Sequence, residues 1–179
     1  MTFPFPIFLP AVGDLPAAIT GMKTWGSSDT GYHNNSPGTI TQQFYLKASN
    51  TDPTGSGWTG TTIGTIASFA NAFAAQPKET LGNANTTRYR YVWLEATAGG
   101  AFNWFVLTEL EFYETIPGGS ETLIDPTGKS IITDMITSTY PISNAFNGAG
   151  AGGAWASAGA ADQTGSLTVR RAGLDLGAL

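Results

Sequence analysis

The chemistry open to this chain is limited by its reactive side chains, because it has one histidine, His33, and no cysteine. Without cysteine there is no disulfide framework, no cysteine-ligated zinc and no thiol nucleophile. A catalytic triad would have to use His33, which lies in a polar segment with no serine elbow beside it. The sequence also has no phosphate-binding loop and no metalloprotease motif. We therefore expect a protein that is not an enzyme.

Paired carboxylates are the second candidate for chemistry. Glu109 and Glu111 stand two positions apart in "LTELEFYE", so on a strand their side chains point to the same face. Glycoside hydrolysis needs two carboxylates on either side of a cleft, and nothing in this sequence requires such a cleft. We interpret the pair as solvated strand carboxylates.

Binding chemistry is better represented than catalytic chemistry. The segments 25–38, "WGSSDTGYHNNSPG", and 99–104, "GGAFNW", join aromatic rings to amide and imidazole groups. Proteins recognise sugars with this combination, because a ring stacks on the apolar sugar face while a few polar groups fix the hydroxyls. The candidate ligand-binding residues are Trp25, Tyr32, His33, Asn34, Phe102, Asn103 and Trp104.

Composition indicates one ordinary domain with a hydrophobic core, since 41% of the 179 residues are hydrophobic. Only 12% of the residues are charged and the net charge is −5. Nucleic acid and anionic membranes both require a basic face, so neither is expected as a partner. The 23 glycines are typical of a β protein with many turns.

Short β-forming segments separated by polar turns run along the chain, and no long 3.6-residue periodicity interrupts them. In 88–98 both faces carry bulky residues, which is typical of a central strand. We expect loops at 27–38, 50–58 and 147–162. The predicted strands are 18–26, 39–49, 64–70, 88–98, 104–114, 129–138 and 166–178. This pattern predicts an all-β sandwich or jelly roll.

Several segments resemble discoidin domains, also known as coagulation factor 5/8 type C domains or family 32 carbohydrate-binding modules. "FYLKASNTDPTGSGW" (44–58) is similar to the family's "F-x-L-x-x-S-x-D…W" segment. "RYRYVWLEATAGG" (88–100) with "LTELEFYE" (107–114) resembles its closing strands. "TSTYPISNAFNGAGAGGAW" (137–155) and "GLDLGA" (173–178) resemble its opening, with Trp155 matching a core tryptophan. The resemblance implies a discoidin-like jelly-roll sandwich.

The order of these segments is inverted, because the family's opening follows its ending. We interpret the chain as a circular permutant. Permutation needs only a short linker between the usual termini, since domain termini often lie close together at the surface. The sandwich would span 15–179, with 15–114 and 129–179 joined by a linker at 115–128. Two alternatives stay open: the end of one domain followed by a truncated second domain, or strand exchange between chains.

The resemblance also implies sites. The family places its sugar site in loops at one end of the sandwich, where the two aromatic segments would converge. It often binds calcium through a turn Asp, a Glu and backbone carbonyls, and the matching residues are Asn147, Glu109 and Thr108. Because Asn replaces the Asp, the set lacks one charge that calcium prefers. We therefore expect no cofactor, with calcium as the weaker alternative.

The first 14 residues, "MTFPFPIFLPAVGD", are interpreted as an extended arm, because their prolines break any helix. The segment is too short to span a bilayer and lacks the basic region of a signal peptide. A free apolar arm would need a surface to cover it. We expect it to dock on a second copy or on another structural protein. The docking residues are Phe3, Phe5, Ile7, Phe8 and Leu9.

Together these features favour a non-catalytic structural and binding protein of a bacteriophage virion, in its tail, baseplate or head surface. Its expected partners are other virion proteins or copies of itself, and surface glycans, without membrane insertion. Two alternatives remain: a carbohydrate-binding module of a secreted or cell-surface protein, and a purely structural decoration subunit. The step from family to function is an analogy.

Overall fold

The computed structural model is dominated by antiparallel β-strands. It describes residues 18–25, 42–66, 79–80, 85–98, 104–115, 119–135, 140–148, 156–159 and 169–177. The strands are β1 (Ile19–Trp25), β2 (Gln42–Ser49), β3 (Thr61–Ile66), β4 (Glu79–Thr80), β5 (Tyr91–Ala98), β6 (Trp104–Leu107), β7 (Glu109–Thr115), β8 (Glu121–Leu123), β9 (Ser130–Thr133), β10 (Ala156–Gly159) and β11 (Val169–Asp175). A short 3₁₀ helix covers Ile142–Phe146. The expected all-β class is confirmed.

The larger sheet has five strands in the order β3-β2-β5-β11-β9, all antiparallel. Its central strand is β5, which pairs with β2 on one side and β11 on the other. The prediction of a central strand from two bulky faces is therefore confirmed. The inner face of β5 carries Val92, Leu94 and Ala96, and its outer face carries Trp93 and Glu95.

The second sheet has four strands in the order β4-β1-β7-β8, and a separate pair joins β10 to β6. We predicted one strand over 104–114, but the structure divides it into β6 and β7 at Thr108. The Thr108 amide donates a hydrogen bond to the Trp25 carbonyl oxygen at 2.9 Å. This contact with the end of β1 replaces a ladder bond, so the strand breaks there.

One hydrophobic core is built from residues of both sheets and of the 3₁₀ helix. It includes Ile19 and Met22 of β1, Leu110 and Phe112 of β7, and Leu174 of β11, each at most 2% exposed. In β2, β5 and β7 the core side chains alternate with residues of the outer face, so each sheet turns an apolar face inward. The molecule is thus an all-β sandwich.

The chain beyond residue 128 completes the larger sheet. β11 pairs with β5 along seven residues, from Val169 opposite Thr97 to Asp175 opposite Tyr91. β9 then forms the edge next to β11. Described residues between 129 and 177, including Met135, Phe146 and Leu174, therefore belong to the same core as the strands before 115.

The described part of the proposed linker 115–128, residues 119–128, has more regular structure than its Pro and Gly content predicts. It contains β8, which returns antiparallel to β7 with Tyr113 opposite Leu123. Ile124 follows with 6% of its surface exposed, and its amide donates to the Phe112 carbonyl oxygen at 2.9 Å. The turn residues flank a β-forming stretch too short to be recognised by pattern. In the same way, β10 lies within the predicted loop 147–162.

Candidate functional site

Most of the predicted ligand-binding residues lie outside the described part of the chain: Tyr32, His33, Asn34, Phe102 and Asn103, together with the docking residues Phe3, Phe5, Ile7, Phe8 and Leu9. The structure describes two of the predicted ligand-binding residues, Trp25 and Trp104. Trp25 ends β1 with 9% of its surface exposed, and the Lys23 ammonium lies 4.3 Å from its ring centroid. Trp104 begins β6 opposite Gly159. The convergence of these residues stays a prediction.

The three candidate calcium ligands lie on two separate elements. Thr108 and Glu109 stand at the β6–β7 break and are 1% and 2% exposed. Asn147 follows the 3₁₀ helix and is exposed. The residues that line a cavity of about 30 Å³ include Glu109 and Gly148, the neighbour of Asn147. The fold thus brings both segments to one small cavity.

No group of three or more acidic or histidine side chains is clustered within the described ranges. Calcium binding at the Glu109 cavity therefore stays a prediction that depends on amide and carbonyl oxygens. The interpretation of the Glu pair as solvated is wrong for Glu109, because only 2% of its surface is exposed. Glu111 is half-buried and accepts a hydrogen bond from the Tyr113 hydroxyl.

An aromatic layer covers the outer face of the larger sheet. Trp93 is fully buried there, and Trp58, from the loop between β2 and β3, meets it edge to face with ring centroids 5.8 Å apart. Two glycines make room for the Trp93 ring and its backbone. A Cβ on Gly60 would stand 2.2 Å from the Trp93 ring, and one on Gly173 would stand 2.5 Å from its Cβ. The loop is therefore held close to the sheet.

A charge network extends this layer across three strands. Glu95 of β5 accepts from the Lys47 ammonium and from the Arg171 Nε, each at 2.7 Å. Arg171 also donates to Asp134 at 2.8 Å. Burial alone would raise the pKa of Glu95, but the hydrogen bonds from Lys47 and Arg171 outweigh it and leave that pKa below its ordinary value. Burial raises the pKa of Asp134 in spite of Arg171.

Replacing Glu95 with Gln is expected to lower the free energy of unfolding by about 2 kcal/mol at pH 7, because two half-buried cations lose their carboxylate. The folded-state pKa of Glu95 lies below its ordinary value of 4.5. Its contribution is therefore present above pH 4.5 and lost as the pH falls through the lower folded-state value.

Urea unfolding at several pH values measures this contribution directly. The difference between the Glu95→Gln variant and the parent should shrink below pH 4.5. The control is Glu114→Gln on β7, for which a change within about 0.5 kcal/mol is expected. If the loss of unfolding free energy in Glu95→Gln stays constant down to pH 3, the contribution does not come from the ionised Glu95 carboxylate.

An open cleft of about 530 Å³ lies beside the β2–β3 loop. This volume lies within the usual range for small-molecule sites. Ala48 and Gly60 are among its lining residues. The polar lining residues are Ser49, Asn50, Thr51, Ser56, Thr59, Thr61 and Tyr89.

The Asn50 amide is held in a fixed orientation at this cleft. Its Nδ2 donates to the Arg88 carbonyl oxygen at 3.2 Å, and its Oδ1 accepts from the Arg90 amide at 2.8 Å. These two bonds tie the loop after β2 to the segment before β5. Because an amide has two N–H donors and two lone pairs, one of each is left for a ligand.

The loop itself is braced by short-range hydrogen bonds. Asp52 accepts from the Thr54 amide at 2.8 Å and from its hydroxyl at 2.7 Å. The Trp58 amide donates to the Pro53 carbonyl oxygen at 2.7 Å, with Trp58 in the left-handed region at φ 62°. A strained residue of this kind persists only where its surroundings hold it, here through the packing of Trp58 on Trp93. The cleft wall is therefore preorganised.

Sequence reasoning assigned this loop to the discoidin-like signature and overlooked it as a site. The available signal was the density of hydroxyl and amide side chains in "SNTDPTGSGWTGT" (49–61). The sequence does not show that Tyr89, 28 residues beyond Thr61, lines the same cleft. Only the pairing of β2 with β5 brings Tyr89 to that cleft.

Comparison with known proteins provides no relative: no family model, no curated protein and no solved structure matches the chain. Within the described residues, no helix has the length and apolar character needed to cross a membrane.

Proposed function

We propose that this protein is a non-catalytic glycan-binding module that works on the surface of a larger particle, and that the cleft beside the β2–β3 loop is its binding site. The observation that carries the proposal is the lining of that cleft. It combines an aromatic ring, Tyr89, with a fixed amide, Asn50, and several hydroxyl groups.

This lining suits a sugar for physical reasons. A sugar has an apolar face of C–H groups and a rim of hydroxyls that both donate and accept hydrogen bonds. Ser and Thr hydroxyls also donate and accept, so they match that rim in either direction. Because the Asn50 amide is already oriented by Arg88 and Arg90, little ordering free energy is lost on binding.

We further propose that the fold is a circularly permuted discoidin sandwich. The pairing of β11 with β5 supports this, because the segment that resembles the family's opening completes the sheet that contains the family's closing strand. Phe146 of that opening also packs against Phe112 of the closing strand, with ring centroids 6.4 Å apart. A single compact sandwich is what a permutant requires.

The particle that we propose is a bacteriophage virion, with the protein in its tail, baseplate or head surface. The glycine-rich, cysteine-free sequence and the five bulky apolar residues of the first nine positions support this assignment. In this proposal the arm docks on a virion protein or on a second copy, and the cleft faces outward.

Replacing Tyr89 with Ala is expected to weaken glycan binding by at least about tenfold, equal to about 1.4 kcal/mol, because the stacking surface is lost. A glycan array read with the full chain identifies the ligands, and titration calorimetry measures the loss. The matched control is Tyr140→Ala, since Tyr140 is exposed and is not in the described lining of the cleft.

Two results would count against this site. If the folded parent chain binds no glycan, the proposed function is wrong. If Trp104→Ala abolishes binding while Tyr89→Ala does not, glycans bind at the loops predicted from the sequence and the cleft is not the site.

A further inference from the structure

We propose that Asp175, at the end of β11, is a positioning residue for the cleft: it holds Arg90 in place and thereby fixes the backbone that carries Tyr89. This inference rests on the proposed function, because it concerns the affinity of the same site for glycans. Asp175 is not in the described lining of the cleft, so it acts on a ligand through the residues that it holds.

Tyr89 lies two residues before the regular pairing of the central strand begins. In that pairing Tyr91 stands opposite Ser49 of β2 and opposite Asp175 of β11. Tyr89 itself is half-buried and lines the cleft. The place of its ring therefore depends on how Arg90, and the backbone on either side of Tyr89, are held.

One side-chain amide holds both peptide groups next to Tyr89. The Asn50 Nδ2 donates to the Arg88 carbonyl oxygen at 3.2 Å, and its Oδ1 accepts from the Arg90 amide at 2.8 Å. The first bond holds the peptide group that precedes Tyr89, and the second holds the one that follows it. The loop after β2 thus fixes Tyr89 from one side.

The end of β11 holds Arg90 from the other side. The Leu176 amide donates to the Arg90 carbonyl oxygen at 2.7 Å. The Arg90 Nε and Nη2 donate to the two carboxylate oxygens of Asp175, each at 2.8 Å. Asp175 also accepts from the Gly177 amide at 3.0 Å, so the carboxylate is fixed by the turn after β11. A bidentate arginine–carboxylate pair of this kind sets geometry as well as energy.

The Arg90–Asp175 pair is partly shielded from solvent. The two side chains are 36% and 18% exposed. Hydrogen bonds from Arg90 lower the pKa of Asp175, so its carboxylate is ionised at neutral pH. The Arg90 guanidinium also lies 4.8 Å from the ring centroid of the buried Tyr91. Arg90 is therefore held at its amide, its carbonyl and its side chain, which restricts the adjoining Tyr89.

Asp175→Asn keeps the size of the side chain but replaces one acceptor oxygen with an NH₂ group, which cannot accept from Arg90. We expect glycan affinity to fall about two- to tenfold, because a ligand must then order the segment 88–90 as it binds. The matched control is Asp134→Asn. Asp134 accepts from the Arg171 amide and from its Nη1, each at 2.8 Å, and it is not in the described lining of the cleft.

The first measurement needs no ligand. The Arg90 amide donates to Asn50 within the held segment, so its hydrogen exchange reports how often that segment opens. Exchange followed by nuclear magnetic resonance should be several-fold faster in Asp175→Asn than in the parent, and unchanged in Asp134→Asn. Arg90→Lys is a second variant, which keeps the charge but loses the planar fork, and it should speed the exchange in the same way.

The second measurement is titration calorimetry with a glycan found on the array. Asp175→Asn should weaken binding, and Asp134→Asn should not. In a Tyr89→Ala background Asp175→Asn should cause no further loss of affinity, because the ring that it positions is gone. A merely structural role would lower the affinity of both backgrounds alike.

Asp175 is not a positioning residue if the Arg90 amide exchanges at the parent rate in both Asp175→Asn and Arg90→Lys. Equal losses of affinity with and without the Tyr89 ring, or an equal loss in Asp134→Asn, would also remove this role. Unchanged affinity in Asp175→Asn removes it while leaving glycan binding at the cleft standing. If the folded parent binds no glycan, the proposed function is wrong, and the exchange rates decide whether Asp175 holds the segment 88–90.

Discussion

A chain that ends at Gly128 is expected to lose cooperative folding altogether. β11 lies between β5 and β9, so the truncation exposes the edge of the central strand. It also removes Met135, Phe146, Leu174 and Leu176 from the core. Burial of four such side chains is worth about 6–12 kcal/mol at roughly 1.5–3 kcal/mol each, which is comparable with the whole stability of an ordinary domain.

Thermal unfolding followed by near-ultraviolet circular dichroism measures this loss. The matched control is a reordered chain in which residues 129–179 precede residues 15–114 through a flexible Gly/Ser linker. It keeps every strand except β8 and the last residue of β7, which lie in the omitted residues 115–128. If the chain is a circular permutant, this order should fold with a cooperative transition. A cooperative transition in the truncated chain would show that the first 128 residues form a domain alone, and would contradict permutation.

Replacing Gly173 with Ala is expected to destabilise the sandwich by about 3 kcal/mol, in the upper part of the range for overpacking a core. The added Cβ would stand 2.1 Å from the Val92 carbonyl oxygen and 2.6 Å from the Trp93 Cα. Both atoms belong to the backbone of the central strand, so neither can move without distorting the ladder between β5 and β11.

Urea unfolding of Gly173→Ala beside Gly55→Ala tests this expectation. A Cβ on Gly55 has no neighbour within 4 Å, so that variant should stay within about 0.5 kcal/mol of the parent. Equal stabilities of the two variants would mean that β11 does not approach β5 as closely as the structure shows.

The need for glycine at position 173 is visible in the tertiary structure and not in the sequence. In the sequence Gly173 is one of 23 glycines and carries no special mark. A residue without a Cβ is required at this position only because β11 pairs with β5 and places Gly173 opposite Trp93. A glycine inside a strand signals close approach, but the approaching group is determined by tertiary structure.

The sequence by itself determined the local structure. Alternating side chains specify which face of a strand is buried, and this pattern depends only on neighbouring residues. The segments 18–26 and 88–98 were therefore located to within a few residues of β1 and β5, and β5 was correctly expected at the centre of a sheet. The all-β class follows from the same local signal.

Tertiary structure decided what depends on distant partners. The break at Thr108 exists because the end of β1 supplies a hydrogen-bond acceptor, and β8 exists because β7 supplies an edge. The cleft required Tyr89 to meet the loop that follows β2. The small cavity beside Glu109 required Gly148, from a distant segment, to line it as well. Such contacts join residues far apart in the chain, and no local pattern encodes which of many possible partners a strand or loop will meet.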